Sequence, residues 1–591
     1  MGAVFLYRET EKIDIENAEK VFFSKGFPKY RKFSLGEWSI ITYAKIATGF
    51  QNYCFIEDDA VFAVGTPIYK SLNYIDSLVQ LLLDYRSDKL DIMQLLGHYN
   101  LIFSIKGNIS VLCDSLNIKH LFTDNQYRFY TSSFLAAVAA YSGGITLNKM
   151  AIYEKFLSGI IVSPDTLLKE IIQLDSSMMN KINRKNTGIR FIQNSFNIDY
   201  VDYHCLGKKP SVKHQGEMLK NYFNKIKAAA EEKGVDLGLS GGYDSRLLLA
   251  VADLCFHNSL HGHTHSTGHV HDKEKQIALK MARLKGIPCS VVKTKRLDEP
   301  GVDIDRVLQE NLYFFDGRTS FDIGGLSPTY TASYRTQATG GRGFTMTGVG
   351  GEIYRNNFSI LGNKINMQRF LNDHVFNNFF DKAVRNESLT KQVKDFHMAK
   401  VENKLVTGIK GRVEMLIARR YYSEIMMPEG QGVVIDAYNQ ISSCIAPMLE
   451  PKIIKEAYKG LKYHGYSGGY EGAIIQYLDP ALAHINSTYG YPFDKVPFKH
   501  KVKECIRAHI PARIWSKLAR IKGSSLGDSN KEYLDSLCQK SPLLDDAMLY
   551  LKRVVPDVDY EKLFLGQSAV SNIAYMALVL YQWKGRLRHS E

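Results

Sequence analysis

One glycine-rich turn constrains this chain more than any other stretch: Leu239-Ser240-Gly241-Gly242-Tyr243-Asp244-Ser245-Arg246. Val235 to Leu239, just before it, reads as a short apolar strand, and Arg246 to Leu254, just after, as a helical run. A turn between a strand and a helix offers free backbone N–H groups and the positive helix end to an anion. Gly241 and Gly242 let the backbone approach a phosphate closely. Ser240 and Ser245 add hydroxyl donors, and Asp244 adds a carboxylate that can hold Mg²⁺ beside phosphates. A lone Gly-Gly turn would say little; the whole string in this setting is far more specific.

The surrounding chain sorts into two textures. The first 140 residues read as short strands, among them Ala60 to Val64, Tyr99 to Ser104, Ile109 to Cys113 and Arg128 to Ser132, with turns such as Lys106-Gly107-Asn108. Gly207 to Ser211 reads as a linker. A long amphipathic segment, Met218 to Lys233, then runs into Gly234, a helix-stop signal. Strand signals recur at Ser259 to His265, Pro288 to Val292 and Phe344 to Thr347, with helical stretches between them. Such alternation predicts a parallel sheet with crossover helices. The last 150 residues read as mainly helical. No run of 18 apolar residues exists, and Ala574 to Tyr581 reads as a core helix, so no membrane span is expected. The N-terminus lacks the order of a signal peptide, and a cytoplasmic protein is the expectation.

The string SGGYDS resembles the pyrophosphate loop of ATP pyrophosphatases, and the resemblance extends to the asparagine synthetase-like amide ligases. Thr345 to Glu352 is similar to that family's second motif, and Ala446-Pro447-Met448-Leu449-Glu450 to its P-F-L-D segment. Leu96 to Ile102, Cys113-Asp114-Ser115 and Thr166-Leu167 look like parts of its N-terminal domain. The resemblance implies an α/β two-domain chain. Residues 1–205 would form a degenerate class II glutamine amidotransferase-like αββα sandwich, hydrolase-like in fold. Residues 206–591 would form an ATP-pyrophosphatase domain of the adenine nucleotide α-hydrolase-like kind, with a parallel sheet and a helical C-terminus. It further implies ATP and Mg²⁺ as cofactors. Leu239, Ser240, Gly241, Gly242, Asp244, Ser245, His265, Thr347, Gly348 and Gly350 would contact the nucleotide, and Asp244 and Glu352 would hold the metal.

Departures from the family pattern are informative. Asparagine synthetase begins Met-Cys-Gly, its Cys being the nucleophile that frees ammonia from glutamine. Here Met1-Gly2-Ala3 stands instead, and Gly2 has no nucleophile to offer. Val64 to Tyr69 occupies the region of the glutamine-binding segments. β-Lactam synthetases and lasso peptide cyclases share this loss and use an amine on the substrate itself. Val349 stands where asparagine synthetase has Glu and β-lactam synthetase has Tyr, and it cannot take a proton. Glu352 replaces the metal-binding Asp and keeps the carboxylate. The family also needs a C-terminal Lys to neutralise charge as the amine attacks. Lys495 to Lys522 carries nine Lys or Arg and one acidic residue, Glu504. Lys522 is the first choice for that role and Lys517 the second; a solvated basic face is the bland alternative.

Other features give way to plainer readings. Six of the 17 His fall between His257 and His271, with His261, His263 and His265 alternating on one strand face. Structural or nucleotide-contact roles are preferred to a metal site, which needs convergent ligands. Eight scattered Cys contain no CxxC pair. The formal net charge of +14 suits an anionic partner without choosing one. An RNA-modifying enzyme would suit that charge but would leave the N-terminal region unexplained, so no nucleic acid is expected.

The expected function is an ATP-dependent carbon–nitrogen ligase without glutaminase activity, with peptide macrolactam formation as the leading chemistry. A leader-peptide-binding or protease partner would accompany a peptide substrate. The alternatives are amidation of an acidic sugar or other small carboxylate with ammonia, and a non-catalytic nucleotide-binding scaffold. Glutamate release from glutamine, measured with and without ATP, is expected to stay at background; steady hydrolysis would contradict the reading of Gly2.

Overall fold

Strand-forming runs in the first 192 residues pair into two large sheets and a two-stranded ribbon of Ile68–Tyr69 with Leu95–Leu96. The first has the order Ile171–Gln173, Phe122–Asp124, Phe129–Thr131, Ala3–Arg8, Trp38–Tyr43, Tyr30–Leu35, and all its pairs are antiparallel. The second has the order Ile189–Ile192, Asn108–Cys113, Tyr99–Ile105, Asp59–Gly65, Tyr53–Ile56 and is antiparallel except where Ile189–Ile192 joins Asn108–Cys113. The computed structural model describes residues 2–27, 30–50, 52–184, 188–194, 211–266, 272–318, 326, 328, 331–356, 358, 364–377, 379–460, 468–500, 502, 506, 531–564 and 569–588.

Period-two alternation decides how these sheets stack. Along Ala3–Arg8, Val4 and Leu6 face the second sheet and pack with Phe62, Val64, Ile102 and Val111. Phe5 and Tyr7 face the opposite way, into a core with Phe22 and Phe134 from the helices Ile15–Ser24 and Phe134–Ala140. On the second sheet, Val61, Leu101 and Phe103 pack against Leu78, Leu81 and Leu82 of the helix Tyr74–Arg86. The layers therefore run helix, sheet, sheet, helix. The turn signals gave the strands; the helices between them carry the outer layers.

The third sheet is parallel throughout, in the order Cys289–Lys293, Leu260–Ser266, Val235–Gly238, Phe344–Met346, Ser443–Ile445. Its central strands are buried, as expected of a parallel sheet covered on both faces. The helices Tyr243–Phe256 and Lys273–Lys285 are its crossovers. Asp272 caps the second of these by accepting from the Lys275 N–H at 3.2 Å, and Glu274 lies in its first turn. The long helix before the sheet, Val212–Glu231, starts at Ser211, whose hydroxyl accepts from His214 N. The remainder of the expected linker, residues 207–210, lies outside the described residues.

Buried charges join the antiparallel sheets to the parallel one. Lys25 reaches Asp316 at 2.9 Å with both side chains 2% exposed, and Asp316 also takes the Ser133 hydroxyl and the first N–H groups of Phe134–Ala140. Lys119 and Arg318 both pair with Asp436. Lys45, wholly buried, donates to the carbonyls of Asn439 (2.6 Å) and Ser442 (3.0 Å). Burial works to raise the Asp436 carboxyl, but Lys119 and then Arg318 overcome it and hold it down at about 2.

This seam makes a stability prediction. Asp436→Ala strands two buried cations and is expected to cost about 3–5 kcal/mol in denaturant unfolding. A folded-state value depressed to about 2 from an ordinary 3.8 means that Asp436 stabilises fully above 3.8 and loses that effect as pH falls through 2. The stability difference between wild type and Asp436→Asn should therefore shrink over that interval; a difference that is flat with pH would contradict it.

Candidate active site

The motif helix begins earlier than its apolar pattern suggests. Helix Tyr243–Phe256 starts three residues before Arg246, with Gly242 extended at its N-cap and no side-chain cap there. Tyr243 is buried and stacks on Phe493 with ring centroids 3.8 Å apart, which fixes the first turn. Asp244 and Ser245 thus lie inside the helix's first turn. The two serines close the turn upon itself. Ser240 N donates to Ser245 Oγ at 3.1 Å, the two hydroxyls lie 2.9 Å apart, and Gly242 N donates to Ser240 Oγ at 3.3 Å. Leu239 is buried, its N–H on the His263 carbonyl at 2.7 Å.

Arg246 locks a remote segment over this turn. It is fully buried, its Nη1 donates to the Leu482 and Ile485 carbonyls at 3.2 and 2.6 Å, and its guanidinium lies 4.4 Å from the Phe493 ring centroid. Thr488 N then donates to the Gly241 carbonyl at 3.2 Å.

The second glycine-rich turn follows strand Phe344–Met346. Thr347 N donates to the Ile445 carbonyl at 3.0 Å, and Gly350 adopts φ +95°, which favours glycine. Gly351 lies directly against the first turn, where a Cβ would fall 2.0 Å from Asp244 Oδ1. The two turns leave the carboxyl ends of adjacent strands, the first and fourth of the sheet in chain order. There the sheet order 3-2-1-4-5 reverses, the place where open α/β sheets leave a crevice.

A cavity of 410 Å³ occupies this crevice. Ser240, Asp244 and Ser245 line it from the first turn, and Thr347 to Gly350 with Glu352 from the second. Its far wall is Tyr422, Met426, Met427 and Gln431, from a π-helix spanning Tyr421–Gln431. The wider i→i+5 winding sets Tyr422 over Met427 and Met426 over Gln431, so that all four reach one side. π-Turns of this kind are frequent at functional sites. Pro428 within it has no N–H to give.

Three carboxylates and one guanidinium set the electrostatics. Asp244 Oδ1 accepts from Arg355 Nη2. The same guanidinium donates from Nε and Nη2 to Glu471 Oε2, at 3.0 and 2.8 Å, and Glu471 is wholly buried. Burial, then Glu471, pushes the Asp244 carboxyl well up, against the pull of Arg355. Glu352 Oε2 accepts from the Tyr422 hydroxyl at 2.6 Å, and burial with Glu352 raises that phenol. Among the described residues no cluster of three or more His, Cys, Asp or Glu could hold a metal alone. Mg²⁺ commonly takes one or two carboxylates and fills its shell with phosphate oxygens and water, so Asp244 and Glu352 fit it.

Other expected site residues fall elsewhere. The His265 Nδ1 is 3.0 Å from the Tyr334 hydroxyl and its Nε2 3.4 Å from Arg335, and burial and Arg335 lower it to about 4. It is not part of the cavity wall. His261 and His263 share Asp236, at 3.4 and 2.9 Å, which gives them a structural partner. Lys517 and Lys522 lie outside the described residues. At the other end of the chain, Gly2 is buried, and a Cβ there would meet the Phe27 ring at 2.4 Å. The two weak motif segments dock on each other: Gly97 N donates to Glu450 Oε1 at 2.8 Å and Ala446 N to His98 Nε2 at 3.1 Å.

Arg355, Glu471, Tyr422 and the two methionines are site residues that the sequence reasoning missed. Arg355 stands three residues past Glu352, and that nearness is its one signal in the sequence. Nothing in the sequence marks Glu471, and Pro428 and Gly430 argue against any helix where the π-helix stands.

No protein-family model matches the chain, and no curated protein matches it significantly.

The close approach of the turns makes a prediction that is independent of any ligand. Gly351→Ala should destabilise the protein by about 1–3 kcal/mol through collision with Asp244. Asp244→Ala should remove most of that cost, giving a coupling above about 0.5 kcal/mol in a double-mutant cycle. Additive effects would show that the turns do not touch as described.

Proposed function

We propose that the chain is an ATP-dependent, AMP- and pyrophosphate-forming ligase that adenylates a carboxylate and transfers the acyl group to an amine. The observation that carries this reading is the meeting of two glycine-rich turns at the sheet reversal, with Asp244 and Glu352 on one cavity. The finer architecture that goes with it is a degenerate hydrolase-like sandwich followed by an ATP-pyrophosphatase domain.

In the first step a carboxylate oxygen bonds to the α-phosphorus of ATP and the bond to the β-phosphate oxygen breaks. Backbone N–H groups of the Ser240–Ser245 turn, at a positive helix end, stabilise the departing pyrophosphate. Asp244 and Glu352 would hold a Mg²⁺, which when bound would supply positive charge to the phosphates. In the second step an amine nitrogen bonds to the activated carbonyl carbon, the bond from that carbon to the AMP oxygen breaks, and the amine's proton passes to solvent. Val349 cannot accept that proton. The basic segment with Lys522 and Lys517 supplies the cation for this step. The crowded Gly2, with no room for a Cβ, favours an amine that does not come from glutamine. Val349, Met426 and Met427 give the cavity apolar surface beside its polar groups, which favours a peptide over a polyhydroxylated sugar.

Asp244→Asn is expected to lower pyrophosphate release by at least about a hundredfold. The fold should persist, because Arg355 keeps its bonds to Glu471. Release measured across a panel of acidic peptides and sugar acids tests the proposal. A wild-type protein that binds ATP and never releases pyrophosphate would make it a scaffold.

A further inference from the structure

Asp244 is held from behind. It faces the cavity, while Arg355 approaches its Oδ1 from the side of Tyr243, over whose ring the guanidinium lies at 5.4 Å. Arg355 is itself fixed at two nitrogens by Glu471, a carboxylate with no solvent exposure on the helix Gly469–Leu478. The backbone of Arg355 is tied as well, because its carbonyl accepts from Arg419 Nη2 and the same nitrogen reaches the Glu352 carbonyl at 3.3 Å. One residue is thus tied to both residues that bring a carboxylate to the cavity. Its side chain orients Asp244, and its main chain shares an arginine with Glu352.

A carboxylate that receives a metal works best when an outer hydrogen bond fixes its rotation, since a freely turning ligand must be ordered at the moment of binding. The Glu471–Arg355–Asp244 chain has that form. Arg355 is shared with Glu471, so its charge is not spent on Asp244 alone, and the carboxylate stays open to a cation entering the cavity. A lysine could offer one point donor but not a planar fork that grips Glu471 twice and Asp244 once.

We propose that Arg355, gripped by Glu471, is a positioning residue that aims the Asp244 carboxylate at a divalent cation in the cavity. The proposal rests on the ligase reading and adds to it the residue pair that sets metal affinity.

The test is Mn²⁺ binding, followed by electron paramagnetic resonance on full-length protein with a non-hydrolysable ATP analogue, so that no turnover is needed. Arg355→Met is expected to weaken Mn²⁺ binding by about 10–100-fold, with Arg355→Lys in between. Arg355→Met leaves Glu471 buried and unpaired and could unfold the chain. The charge-balanced Arg355→Met/Glu471→Met variant avoids this and should still lose about 10-fold or more. If Arg355 only neutralises Glu471, the double variant will bind Mn²⁺ within twofold of wild type, which overturns the proposal and leaves the ligase reading standing. If wild type shows no saturable Mn²⁺ site with the nucleotide analogue, the ligase reading fails and this proposal with it.

Discussion

A parallel sheet whose strand order reverses cannot cover both sides of the reversal with one crossover, and this chain's candidate site follows from that. The connection after Val235–Gly238 leaves toward one neighbour, and Phe344–Met346 enters on the other side. The two carboxyl-terminal turns diverge and leave a crevice between them. The second turn is glycine where it touches the first, with Gly348 and Gly351 against Asp244. Small residues permit the contact, and the contact puts two carboxylates from different turns on one cavity. Every further element of the site is positioned against this pair of turns: Arg246 with the segment it pins, the π-helix, and the Glu471–Arg355 link.

The antiparallel sheets contribute rigidity to that arrangement. Lys25, at the end of the helix Ile15–Ser24, and Lys45 and Lys119, in the connections that follow strands, meet Asp316, the Asn439 and Ser442 carbonyls, and Asp436 on the parallel side. Burying such charges is costly unless each finds its partner, so these contacts fix one relative placement more than they add net stability. Gly97 and His98 add hydrogen bonds to Glu450 and Ala446, next to the Met448–Leu449 step that packs on Gly350. The first third of the chain thus braces the segment behind the second glycine turn, a structural task that needs no chemistry at Gly2.

Much of the fold was legible in the sequence wherever alternation or a turn carried it. Strands at Asp59–Gly65, Tyr99–Ile105, Asn108–Cys113, Val235–Gly238 and Leu260–Ser266 lie within a residue or two of their apolar runs. The apolar pattern starts the motif helix at Arg246, three residues late, because polar Tyr243-Asp244-Ser245 hides its first turn. Packing of Tyr243 on Phe493, 250 residues away, decides that boundary. The candidate site was legible only where residues within one turn act together. Ser240, Asp244 and Ser245 share a motif, whereas Glu471 joins them solely through the fold. The π-helix was illegible because Pro428 and Gly430 signal a break, and only tertiary packing overrides them.

The central claim is that a carboxylate oxygen attacks the α-phosphorus of ATP in the cavity between the two turns. Transfer of ¹⁸O tests it most directly. A carboxylate substrate labelled with ¹⁸O is turned over with ATP and an amine, and the AMP is examined by mass spectrometry. Acyl-adenylate chemistry leaves one labelled oxygen in the AMP phosphate for every amide formed. Unlabelled AMP, or ADP with the label in inorganic phosphate, would contradict it.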